Sequence, residues 1–304
     1  MFLKAAFKDS PIVIQLLMLL AVVFFCFMAC AFLSSVLFVM KVGISPEAIR
    51  EVQLNINNYP ELLRIMSFFQ VLGIFIFPSI ICAWLFSDYY KNYLHIENPI
   101  YSPAVLWAIA GSLLFVPFIN FTASINQQMV FPEALKGLEK WMMEMETNNN
   151  QLITLMLTTK SPLIILFNVL VICVLTGIGE EFMFRGVLQT IFGRFFKNPH
   201  VLVWFIAIIF SAIHFQFYGF VPRLLLGAYL GYLMYFTQTI WIPVLAHFTF
   251  NLSSLAVFYI FQDSPEKSQE FDALGTGSTW WLALASLALF AFCFQQVKKA
   301  YDYE

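Results

Sequence analysis

Charge is the scarcest property of this chain. Asp, Glu, Lys and Arg make up only 11% of its 304 residues, where a soluble domain carries about 25%, and a solvated globular surface cannot be built from so few. A formal net charge of −2 leaves no basic stripe, which excludes nucleic acid as a partner. Cysteine is sparse as well. Cys26, Cys30, Cys82, Cys173 and Cys293 all fall inside apolar runs and form no CxxC pair, so neither a disulfide framework nor a thiolate metal site is expected. They read as small core hydrophobes. No internal repeat or low-complexity tract divides the chain, and a single membrane domain over residues 1–304 is expected.

What the chain has in excess is apolar length. Hydrophobic residues reach 61% against roughly 45 to 50% in soluble proteins. They run in eight segments free of Asp, Glu, Lys and Arg: 11–40, 66–86, 103–125, 161–179, 200–217, 224–238, 241–261 and 279–297. A transmembrane helix needs roughly 20 such residues. Because the runs are continuous and lack the alternation of barrel strands, they predict helices. The expected fold class is an all-α polytopic membrane protein of about eight transmembrane helices, with lipid as its first partner and the cell (inner) membrane as its location. Lys4 and Lys8 precede the first segment as in a signal peptide, but the run outlasts an h-region of about 7 to 15 residues and reads as a retained anchor. With an even number of spans both termini share one side, and Lys4, Lys8, Lys298 and Lys299 favour the cytosolic one.

Two polar connections carry patterns of their own. In "PEALKGLEKWMMEME", Phe131, Leu135, Leu138, Trp141, Met142 and Met145 recur at helical spacing with charges between them, which predicts an amphipathic helix on the membrane surface before the fourth span. Residues 45–64 are a weaker example of the same kind.

The stretch "GIGEEFMFRGVLQ" puts Glu180, Glu181 and Arg185 directly after an uncharged run. Each ionised group in a bilayer core costs roughly 2.5 to 3.5 kcal/mol on insertion scales, so three within six residues need partners or a task. Three more polar positions interrupt the late helices: His214 in "FSAIHF", and His247 with Asn251 in "LAHFTFN". Glu180 lies 17 residues before Lys197 and His214 lies 17 after it, so antiparallel helices joined near Lys197 would hold both about 25 Å from the turn, at 1.5 Å per residue. His247 and Asn251, at i and i+4, share one helix face. Reaching the depth of Glu180 requires the uncharged "TQT" connection at 237–239 to be recessed. Glu181 and Arg185 also stand at i and i+4, the spacing of a carboxylate and guanidinium pair, whereas Glu180 points about 100° away.

A carboxylate beside imidazoles can act as a general base on water, and a His and an Asn can donate hydrogen bonds to an oxyanion, a layout suited to amide hydrolysis. Glu180, His214 and His247 are equally a competent ligand set for a divalent metal such as zinc, with an open position for water. No Ser or Cys stands in a nucleophile context. "EEFMFR", "FSAIH" and "HFTFN" resemble the EExxxR, FxxxH and HxxxN motifs of the CAAX-protease and bacteriocin-processing family of intramembrane proteases, which includes the type II prenyl-endopeptidases. The motif-bearing region spans about residues 161–261. The resemblance implies that Glu180 and His214 activate water, that His247 and Asn251 form the oxyanion hole, and that Glu181 and Arg185 support the first helix. It implies a membrane-associated peptide or protein as substrate.

Other readings stay open on the sequence. The charged residues can form an ion-pair knot with the histidines and Asn251 as interhelical glue. A proton-coupled transporter would use the same residue types, with "GIG" at 177–179 breaking a helix. A catalytically idle immunity or scaffold protein would keep the fold without the chemistry. Phe210 reads as a packing residue. Glu180→Gln keeps the side-chain shape and removes the base, so peptide cleavage is expected to vanish while thermal stability stays near wild type. Glu181→Gln removes the expected partner of Arg185 and should cost about 3 to 5 kcal/mol, the loss found when buried pairs are broken in soluble proteins. Thermal unfolding and cleavage assays on both mutants check the assignment, and exchanged phenotypes reverse it.

Overall fold

The structure, a computed structural model, describes residues 3–43 and 45–302, and the described residues contain helices and no strand. The helices are α1 (Ile12–Val42) and α2 (Pro46–Leu54), α3 (Pro60–Phe86) and α4 (Ser102–Gln127), α5 (Lys136–Leu157), α6 (Pro162–Gly193), α7 (Pro199–Ala212), α8 (Phe220–Thr237), α9 (Trp241–Phe261), α10 (Pro265–Asp272) and α11 (Trp280–Asp302). Six helical segments among the described residues are long and apolar enough to cross a membrane, formed by α1, α3, α4, α6, α9 and α11. The two remaining apolar segments of the sequence became shorter or more polar helices. α7 has 14 residues, and α8 begins four residues earlier than its uncharged run and so includes Arg223. The expected surface helix is present as α5, with Leu138, Trp141, Met143, Leu152 and Ile153 among its exposed apolar side chains.

The chain divides into two compact units, one of Met1–Tyr93 with Asn148–Met183 and one of Leu94–Thr147 with Phe184–Glu304. In the first, α1 packs along α3, and the approach is close at Gly73, where an added Cβ would stand 2.9 Å from Cys30 Cβ. Large apolar side chains such as Phe24, Phe25 and Phe32 stay exposed on α1, as a lipid-facing surface requires. The buried Arg64 is satisfied through Nε, which donates to Met156 O at 2.9 Å.

In the second unit, α7 packs on α8, and α11 and α9 pack on α4, around a core that includes Ala108, Leu226, Leu230, Leu233, Ile242 and Val297. Small residues let backbones approach: a Cβ at Gly227 would lie 3.2 Å from Ala207 Cα, the packing that helices use where burial against lipid gives little drive. Pro117 interrupts α4 and frees backbone groups. The Ser286 hydroxyl of α11 answers there, donating to Leu114 O and accepting from Phe118 N at 3.2 Å.

Gly177 and Gly179 do not break a helix, since both lie inside the α-helical turn Thr176–Glu181. Gly179 instead admits α3, because a Cβ there would lie 2.9 Å from Phe75 Cβ and 3.0 Å from Ile76 Cγ1. Gly179→Ala is therefore expected to destabilise by about 1 to 3 kcal/mol through overpacking, outweighing a gain of about 1 kcal/mol in helix propensity. Gly137→Ala, on α5 with nothing within 4 Å of the added Cβ, should be neutral or stabilising. Thermal melts of both variants in detergent check the contrast.

Candidate active site

α6 carries the first motif, and its backbone there is not uniform. The α-helical turn Thr176–Glu181 lies between two π-helical stretches, Val169–Leu175 and Phe182–Leu188. Such widened turns are rare in helices and concentrate at functional sites. Glu180 and Glu181 both belong to the α-helical turn and so diverge by about 100°. Both are buried, Glu181 completely and Glu180 to 6% exposure. They belong to the first unit, whereas Arg185, His214, His247 and Asn251 belong to the second.

Within the second unit the polar residues gather around one ring. Arg185 is 1% exposed, and its Nη2 donates to Gly227 O at 2.8 Å. Its guanidinium carbon stands 4.9 Å from the Phe210 ring centre and 5.8 Å from that of Phe184, where a cation is attracted by the ring quadrupole. The Phe210 ring also meets His214 at 5.1 Å and His247 at 6.1 Å, each edge to face. Phe210 is thus a packing residue, and the surface that it packs is made of the motif residues.

His214 lies differently from the sequence expectation of an apolar segment through Phe217. α7 ends at Ala212, and His214 stands in the turn that follows. At this end of α7 the His214 ring competes with the helix ladder for a backbone carbonyl. His214 Nδ1 takes Phe210 O at 2.7 Å, Ser211 Oγ donates to Phe220 O at 2.6 Å, and Phe215 adopts a left-handed φ of 52°. A carbonyl can only accept, so Nδ1 carries the hydrogen and the neutral ring keeps the Nε2 lone pair for a proton, a water or a ligand.

His247 is 3% exposed in the second turn of α9, and Asn251 follows one turn later on the same helix. The start of α9 is pinned by loop 94–98: Ile240 N donates to His95 O at 3.2 Å and Trp241 Nε1 to Ile96 O at 2.9 Å. Thr237, Thr239 and Ile240 of this connection are buried within the protein.

Sequence reasoning passed over the residues that hold the loop after His214. Asn126, 1% exposed at the end of α4, donates from Nδ2 to Phe217 O at 3.0 Å and accepts on Oδ1 from Val221 N at 2.7 Å. Two acidic residues of α5 reach the same loop: Glu146 accepts from Tyr218 N at 3.2 Å and Glu139 from the Tyr218 hydroxyl at 3.3 Å. Burial and the Glu139 carboxylate raise the Tyr218 phenol above its usual range, which keeps it a donor. Nothing in the sequence distinguishes Asn126 from an ordinary polar residue at a span boundary. The seven-residue spacing of Glu139 and Glu146, two turns on one helix face, was the available signal for the second contact.

Among the described residues no three His, Cys, Asp or Glu side chains gather closely enough to hold a metal ion.

Residues 162–253 match the family described as Type II CAAX prenyl endopeptidase Rce1-like. The motif-bearing segment therefore falls, at family level, among the CAAX-type intramembrane proteases, the family that its three motifs resemble. The chain is also 29% identical over 85 residues to the uncharacterized protein YpbD of Bacillus subtilis strain 168, covering 27% of this chain and 40% of YpbD. The match thus spans less than half the length of that relative. No solved structure matches the chain.

The tautomer of His214 is directly measurable. With ¹⁵N-labelled histidine in a bilayer preparation near neutral pH, His214 is expected to show a protonated Nδ1 and an unprotonated Nε2. An Nε2–H signal would remove the lone pair that the Phe210 carbonyl is argued to leave available.

Proposed function

We propose that the protein is an intramembrane endopeptidase that hydrolyses a peptide bond of a membrane-associated peptide or protein. The observation that carries this reading is the capture of His214 Nδ1 by Phe210 O, which leaves Nε2 of a neutral imidazole available within a family segment whose motifs supply a carboxylate and two further donors. Glu180 takes a proton from water that His214 Nε2 orients. The resulting hydroxide adds to the peptide carbonyl carbon. Side-chain N–H groups of His247 and Asn251 receive the negative oxygen. Glu180 then returns the proton to the departing nitrogen as the C–N bond breaks, so no group of the protein ends in a changed state. Glu181 and Arg185 act on the helix and not on the substrate.

A prenylated peptide is the first substrate class to test, because the matching family is named for it. Digestion of prenylated and unprenylated peptide libraries by the purified protein, with and without chelator, tests the reading. Cleavage that is absent from Glu180→Gln supports it, whereas proton-driven uptake in vesicles without cleavage supports transport. The intact helix at Gly177–Gly179 weighs against transport, since that reading placed a break there.

Loss of either oxyanion donor should slow turnover by about 10² to 10³ and alter substrate affinity little. His247→Ala and Asn251→Ala are thus expected to resemble each other, with kcat lowered and KM near wild type. Stoichiometric zinc in the wild type that disappears in His247→Ala, with chelated enzyme rescued by added metal, would overturn the water-only mechanism.

A further inference from the structure

A cavity of about 160 Å³ lies within the second unit and shares Arg185 with the cluster around Phe210. Its lining is graded. Tyr235 and Gln238 are exposed and His95 is half-buried, while Gln189 and Arg185 are 8% and 1% exposed. Gln189 makes a single long contact, Nε2 donating to Gly231 O at 3.4 Å. Its Oε1 is buried and has no hydrogen-bond partner among the described residues. An amide acceptor left in this condition inside apolar helices is costly, and such groups are nearly always satisfied by something.

An occupant that reaches Gln189 Oε1 has to donate to it and also tolerate the Arg185 guanidinium. A metal cation donates nothing and is repelled by the arginine. An anion suits Arg185 but opposes the amide oxygen. Water donates and accepts, and the cavity has room for about five molecules at roughly 30 Å³ each, with the several polar partners that each needs. We propose that this cavity is a water-filled inlet, through which solvent enters beside His95, Tyr235 and Gln238 and reaches Gln189 and Arg185 within the helix packing. The inlet does not depend on the protein's being a protease. On that reading it has an added meaning, since Arg185 and the two imidazoles all contact the Phe210 ring.

Pulsed hydroxyl-radical footprinting of the protein in lipid nanodiscs tests the inlet, because radicals formed from local water oxidise neighbouring methionines. Met234 and Met156 are similarly inaccessible, at 3% and 7% exposure, but of the two only Met234 borders this cavity. Met234 is expected to oxidise severalfold faster than Met156 in the wild type. Gln189→Leu, which replaces the inner acceptor with an apolar group of similar size, is expected to bring Met234 down to the Met156 rate. Equal rates in the wild type overturn the proposal, as does a Met234 rate unchanged in folded Gln189→Leu. If that variant does not fold, the wild-type comparison still decides, and it reads hydration alone, independent of any peptide cleavage.

Discussion

A guanidinium buried among apolar helices is the constraint on which much of the second unit depends. Arg185 is almost fully enclosed, and in a bilayer setting its charge must be compensated locally. Gly227 O and the faces of Phe210 and Phe184 are among its partners. Each partner imposes something further. Close packing of α7 on α8 needs position 227 to lack a side chain, because a Cβ there would press on Phe210 and Ala207. Phe210, held under the cation, then presents its edges and face to His214 and His247. The placement of the two imidazoles thus follows from how the arginine is accommodated.

The same economy governs backbone groups. Within hydrocarbon, a carbonyl or amide freed by a proline or a helix end must find a partner in the protein. Ser286 serves the interruption at Pro117, and Asn126 spans the loop between Phe217 and Val221. His214 belongs to this group as well, since its Nδ1 takes the Phe210 carbonyl at the end of α7. A side chain spent on backbone satisfaction would ordinarily be unavailable for chemistry. An imidazole is the exception, because it has a second nitrogen and bonding at the first fixes the state of the second.

The sequence showed the helices and the polar positions because both signals are local. Eight uncharged runs became helices, and the polar positions stand out against them. Several features were not legible, each for a physical reason. The π-helical stretches around Glu180 carry no proline or obvious insertion to announce them, since a widened turn is a property of hydrogen bonding and neighbouring packing. The end of α7 at Ala212 comes where the His214 ring engages the Phe210 carbonyl in place of the helix ladder, whereas hydropathy continues unbroken through Phe217. Gly177 and Gly179 suggested a break because glycine weakens helices. The structure uses Gly179 for the opposite purpose, a close approach to α3. Asn126 was invisible because its task lies with a loop 91 residues away in sequence.

The choice of arginine at position 185 can be argued from the same geometry. Lysine would bring an equal charge, but as a compact ammonium with three donors directed to a hydration shell. At this position the ring faces of Phe210 and Phe184 are the largest available partners, and a flat delocalised cation can lie against an aromatic ring while its edge still donates to Gly227 O. An ammonium could make the bond to Gly227 O, yet its other hydrogens would have to be met by aromatic carbon or by water. A planar fork can divide its demands between two surfaces, with a ring near its face and Gly227 O at its rim. The arrangement therefore suits the shape of the cation as much as its charge.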